Sequence, residues 1–170
     1  MKRCSKNTWL TFVLITVAGA CLHFGYSLWP NLLTQLLCPI QESIWEHLKI
    51  LFWPGLVSVL ILSRGEDSRT PRMAALLLSC VLMLASGWVL HVVLKDAPVF
   101  ADAVLYVLLM ALCLFLPCLA KQPFRRLPDL PVFALVILLA AAILVFSFVL
   151  PKNILFLDLS GVNTWATIPY

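Results

Sequence analysis

The run Glu42-Ser43-Ile44-Trp45-Glu46-His47-Leu48-Lys49 concentrates more reactive side chains than any other stretch of this 170-residue chain. On a helix, Glu42 and Glu46 stand four apart and share a face, while His47 is turned about 100° away from Glu46. Two carboxylates on one face can hold a divalent cation, or one can act as an acid whose proton affinity is raised by the other. A purely structural reading fits the same letters. Ser43-x-x-Glu46 is a capping box, acids in a first helical turn favour the dipole, and Glu46 with Lys49 makes an i,i+3 ion pair. The H-E-x-x-H spacing of zincins is absent.

Four further residues belong with this run. His23, with Tyr26 and Ser27 one turn on as supporting partners, lies about 7 Å inside a helix end at 1.5 Å per residue. Asp102 and Asp158 are candidate metal ligands with His23 and His47, which leaves Glu42 or Glu46 as the general base. The ordinary alternatives are a dipole contact for Asp102 and a turn residue for Asp158, which leads into Ser160-Gly161. His91, flanked by Gly87, Trp88 and Lys95, reads first as an interfacial anchor and ranks behind the others.

The elements that must position these residues are membrane helices. The chain is 62% hydrophobic and 12% charged, with a mean hydropathy of +1.01, outside the range of soluble domains of this size. A span needs about 20 mostly apolar residues, and a charge at mid-bilayer costs at least about 2.5 kcal/mol. Charge-poor runs therefore predict five spans in a single membrane domain over 1–170, at about 8–28, 44–62, 73–94, 101–120 and 132–150, followed by a tail over 151–170. The second is the least regular, because Glu46, His47 and Lys49 occupy its first turns and Pro54 interrupts it. The fifth is the clearest, with no charged residue and Pro151 as a stop.

Lys and Arg orient the spans, since they are retained in short cytoplasmic loops. Nine of the twelve (Lys2, Arg3, Lys6, Arg64, Arg69, Arg72, Lys121, Arg125 and Arg126) fall on one side of the five-span arrangement, and Lys49, Lys95 and Lys152 on the other. This predicts an inner N-terminus, an uncleaved first helix and an outer tail. All three histidines then lie at outer helix ends with Glu42, Glu46, Asp96, Asp102 and Asp158, while Glu66, Asp67 and Asp129 sit inside. Between the first two spans, Pro30 opens a segment with Leu32, Leu33, Leu36 and Leu37 on one helical face and Asn31, Thr34 and Gln35 opposite, the pattern of a short interfacial helix. The pattern Leu155-Phe156-Leu157-Asp158 predicts a tail that folds back over the outer mouth.

The six cysteines show no C-x-x-C or zinc-finger spacing, and only Cys21 and Cys38 stand near the outer surface, where a disulfide between them is conceivable. The net charge of +4 is accounted for by the inner loops and calls for no nucleic-acid partner. No internal repeat suggests a transporter built from inverted halves.

The stretch Cys38-Pro39-Ile40-Gln41-Glu42-Ser43-Ile44-Trp45-Glu46-His47-Leu48-Lys49, with Leu51-Phe52-Trp53-Pro54, resembles the signature of a family of short multi-span bacterial membrane proteins classed only as a domain of unknown function. His23-Phe24, Asp102 and Leu155-Phe156-Leu157-Asp158-Leu159-Ser160-Gly161 resemble its other marks, although Thr164-Trp165-Ala166-Thr167-Ile168 stands where that family has T-Y-G-I. The resemblance covers nearly the whole chain and implies a multi-pass protein of the bacterial cytoplasmic membrane. It carries no activity, but it selects His23, Glu42, Glu46, His47, Asp102 and Asp158 ahead of His91.

Three functions compete at this stage. The first is a metal-dependent enzyme using Zn, Mn or Fe on a lipid headgroup or an exported small molecule. The second is a small transporter or proton-linked carrier, and the third a non-catalytic membrane partner.

Overall fold

A computed structural model of the chain describes residues 6–63, 69–94, 99–119 and 127–159. Lys2, Arg3, Arg64, Glu66, Asp67, Lys95, Asp96, Lys121, Arg125, Arg126, the Ser160-Gly161 turn and the Thr164–Ile168 segment lie outside the described residues, as does the side chain of Val99. Every regular element among the described residues is helical. Helix α1 spans Lys6–His23, α2 Gly25–Leu28, α3 Leu32–Leu37, α4 Leu48–Leu62, α5 Arg69–Trp88, α6 Val99–Leu119 and α7 Asp129–Phe146. Helix α5 continues as a π-helix over Val89–Leu94, and a 3-10 turn covers Ile154–Phe156.

The helical, membrane-associated class expected from hydropathy holds. Among the described residues, three helices (Arg69–Leu94, Phe100–Leu119 and Asp129–Phe146) are long and apolar enough to cross a membrane, and α4 is apolar but shorter. Their outward faces are large and apolar. Val104, Val107 and Leu108 on α6 and Leu135, Ile137 and Leu138 on α7 are exposed, an apolar area that water does not favour and lipid does.

Helix α4 lies at the centre, packed against α1, α5 and α6, while α7 packs on α5. Close approach is built into α1. A Cβ on Gly19 would collide with the Tyr106 hydroxyl and stand 2.5 Å from the Ile50 carbonyl oxygen, so only glycine admits α4 and α6 this near. Pro54 has no N–H to give that Ile50 carbonyl, four residues back in the helix, and the bare Gly19 backbone lies against it.

Two details depart from the sequence pattern. Pro30 does not open α3. Asn31 does, as N-cap, with its side chain accepting from Leu33 N (2.9 Å) and Thr34 N (3.1 Å) while Thr34 Oγ1 accepts from Asn31 N. Two residues expected on a polar face are thus used for capping. The second predicted span does not begin as a helix at Ile44. Residues 38–47 form an irregular turn, mostly buried but with Glu42 exposed, and α4 starts only at Leu48. The tail captures this backbone: Trp45 N donates to Leu155 O (2.9 Å), Leu159 N to Glu42 O (2.7 Å) and the Gln41 side chain to Phe156 O (2.7 Å). Trp45, Phe146 and Phe156 pack together beside these bonds, with ring centroids 5.2 Å apart and Phe146 edge-on to the other two. The tail therefore does fold back, over residues 154–159.

Candidate functional site

Because residues 42–47 are not helical, Glu42 and Glu46 do not share a face. Ser43 Oγ accepts from Glu46 N (3.2 Å), one half of the predicted capping box. The other half is missing, for the Glu46 carboxylate turns inward, where Oε2 accepts from Ile40 N (2.9 Å) and from Lys49 Nζ (2.7 Å). Lys49 completes its three donors on the carbonyls of Gln35 (2.8 Å) and Cys38 (3.2 Å). Both side chains of this pair are 0% exposed. The predicted i,i+3 pair is present, then, as a core element and not a surface one. Glu46 Oε1 is buried and has no hydrogen-bond partner among the described residues.

Glu42 goes the other way, into a cavity of about 320 Å³ that also receives His23, His47, His91, Asp102 and Tyr106. The donors of His23, Glu42 and His47 all lie within 4.8 Å of one another. His23 Nε2 is 3.5 Å from Glu42 Oε1, and His47 Nε2 is 3.3 Å from Glu42 Oε2. The two imidazoles face each other with centroids 5.4 Å apart. Two elements supply them: α1, whose last residue is His23, and the irregular turn, which carries Glu42 and, just before α4, His47.

The protons on this cluster can be traced. His47 Nδ1 lies 2.7 Å from the Ser43 carbonyl oxygen, which only accepts, so Nδ1 carries a proton. Nε2 then meets the Glu42 carboxylate either as a second N–H or with a cation between them. Hydrogen bonding to His47 holds the Glu42 carboxyl below its ordinary value of 4.5, against the opposing effect of its partial burial. Ligand bonds of about 2.1 Å at tetrahedral angles put donor atoms about 3.4 Å apart; here each imidazole stands at about that distance from a different oxygen of Glu42, His23 at 3.5 Å from Oε1 and His47 at 3.3 Å from Oε2, and one donor atom from each of the three residues falls within 4.8 Å of the others. Charge-assisted N–H···O bonds prefer about 2.7–2.9 Å. The three residues form a group able to hold a metal ion, and the Ser43 carbonyl fixes the orientation of the His47 imidazole, as outer partners of metal-binding histidines do.

Of the other candidates, Asp102 lines the same cavity, but its Oδ1 is 2.9 Å from His91 Nε2. Asp158 lies on the returning tail, next to Leu159 at the cavity wall, and is not among the converging donors. His91, ranked low from sequence, is therefore a cavity residue. The one sequence signal for it is that His91 and Asp102 end and begin neighbouring apolar runs. Its position in a π-helix is a second mark, since such turns recur at functional sites. Tyr106, which sequence reading passed over, closes the deep end by donating to Thr16 O at 2.9 Å. Cys21 and Cys38 are both free thiols.

Compared with protein-family models, with curated proteins and with solved structures, the chain matches none of them.

Proposed function

We propose that this chain is a five-span membrane protein, N-terminus inside and tail outside, whose outer cavity holds one divalent ion on His23, Glu42 and His47. In this reading α1 with α2 forms the first span, residues 44–47 with α4 form the second, and α3 lies at the interface. The observation that carries the metal assignment is the donor spacing around Glu42 together with a proton fixed on His47 Nδ1. Two imidazoles and one carboxylate suit Zn, Mn or Fe and leave a coordination position open.

An open position on such an ion binds water and lowers its pKa to about 7. The function that follows is a hydrolase or transferase acting on a lipid headgroup or an exported small molecule. An ion held by His23, Glu42 and His47 would polarise the attacking oxygen, of water in a hydrolase or of an acceptor hydroxyl in a transferase, and the His91–Asp102 pair lining the same cavity would take up its proton and give it to the departing oxygen as the bond to carbon or phosphorus breaks. Glu42 thereby becomes a ligand, and Glu46, locked to Lys49, takes no part in the chemistry.

Elemental analysis of the purified full chain tests this reading. One equivalent of metal is expected, lost in His47→Ala and Glu42→Ala and retained in Asp102→Ala. A wild-type protein that takes up no stoichiometric Zn, Mn or Fe refutes it.

A further inference from the structure

The cavity has a side as well as a top. Of the residues that line it, Ala20 on α1, Phe24 just beyond α1 and Ala103 on α6 are also exposed on the outside of the bundle. Ala20 continues the exposed apolar stripe of Val13, Leu14 and Val17. Ala103 lies within the corresponding stripe of Phe100, Val104, Val107 and Leu108. The cavity therefore opens between α1 and α6, through the apolar outer surface, and the two helices that flank the opening present alanines there, Ala20 and Ala103, with Phe24 above Ala20 on the α1 side.

The polarity of the interior is layered along the helix axes. His23 ends α1, and Ala20 is three residues further in, about 4.5 Å at the helical rise. Asp102 lies near the start of α6, and Tyr106 is four residues further in, about 6 Å. Polar groups thus cluster at the outer level, the walls below are Ile50, Met83 and Leu105, and the floor is the Tyr106–Thr16 bond against Gly19. A lipid of the outer leaflet has the same order, with an oxygen-rich head above an apolar chain.

We propose that the substrate is a membrane phospholipid that enters sideways between α1 and α6, its chain on Ile50, Met83 and Leu105 and its phosphate at the His23–Glu42–His47 level. As a statement about substrate it rests on the metal-centre reading, from which it can be tested separately. The full chain is placed in nanodiscs containing phosphatidylglycerol with a photoactivatable diazirine in mid-chain, irradiated, and mapped by peptide mass spectrometry. Ile50 and Met83 are buried from the bundle exterior, so label on them reports a chain inside the cavity. The expected result is label at these positions in the wild type, reduced at least tenfold in Ala103→Trp and in Ala20→Trp, with label on Val17 and Val104 unchanged.

Label confined to the outer stripes in the wild type overturns the proposal, as does cavity label that persists in both tryptophan variants. The two variants lie on different helices, and the wild-type pattern alone decides the matter if neither folds. Metal content measured on the same samples separates the two ideas. Cavity label without metal removes the metal centre and leaves the lateral opening, whereas metal without cavity label removes the opening and leaves a water-soluble substrate.

Discussion

Replacing Lys49 with methionine keeps the stem and removes the charge, and the structure sets the size of the effect. The ammonium makes three bonds, to Glu46 Oε2, Gln35 O and Cys38 O, in a place where neither member of the pair touches solvent. In its absence the Glu46 carboxylate retains only Ile40 N as a donor, and a buried charge stripped of its partner costs about 3–5 kcal/mol. That is roughly two to three and a half powers of ten in the folding equilibrium. The double variant Glu46→Gln/Lys49→Met removes both charges, and because paired charges are themselves expensive to desolvate it should recover most of the loss. Reversible unfolding in mixed micelles, followed by tryptophan fluorescence, measures both. A Lys49→Met protein within about 1 kcal/mol of wild type, or a double variant no better than the single one, would refute the reasoning. The effect should also reach the site, since Lys49 anchors the two carbonyls between which residues 36–38 enter the turn that carries Glu42 and His47.

Other expectations follow from individual contacts. Gly19→Ala should destabilise the chain by about 1–3 kcal/mol in the same unfolding assay, because the added methyl meets the Ile50 carbonyl and the Tyr106 hydroxyl; an unchanged midpoint counts against the α1–α4–α6 packing. Phe156→Ala should cost about 3–5 kcal/mol and speed amide exchange at Trp45 and Leu159, whose N–H groups bond across the turn and tail; unaltered protection would disprove that coupling. Glu42 has a lowered pKa when folded, so its stabilising contribution is complete above 4.5 and lost as pH falls through the lower folded value; comparing wild type with Glu42→Gln across pH 3 to 7 should show the two curves converging only at the acid end. Zinc affinity should also fall as the pH is lowered, because protons compete with the metal for the ligating imidazole nitrogens of His23 and His47; a titration flat from pH 8 to 5 would exclude them as ligands.

Membrane helices were legible because hydropathy is a local property, and α5, α6 and α7 fall close to the runs that announce them. The start of α4 was not. Residues 42–47 satisfy a helical pattern, but the Trp45 N–H is claimed by Leu155 and the Glu42 carbonyl by Leu159, more than a hundred positions away, while the Glu46 side chain folds back onto Ile40. The supposed shared face of Glu42 and Glu46 failed for the same reason, although the divergence of Glu46 and His47 survived in a different geometry. The Glu46–Lys49 spacing was readable, but its burial was not, since burial depends on the backbone of Gln35, Cys38 and Ile40 closing on the pair. His23 was singled out from its depth in an apolar run. Its meeting with His47 depends on helix packing that a single glycine permits.

The donors of the candidate metal site all lie within the first 47 residues, and the segment that bonds across Glu42 ends at Leu159. A ribosome adding about 5–20 residues per second needs roughly 6 to 22 s to cover the distance between them. His23, Glu42 and His47 are therefore synthesised well before the segment that latches their turn. Closure of the turn becomes a late event set by chain order, with Phe146 and Phe156 reaching Trp45 only after every residue of the candidate site has been made.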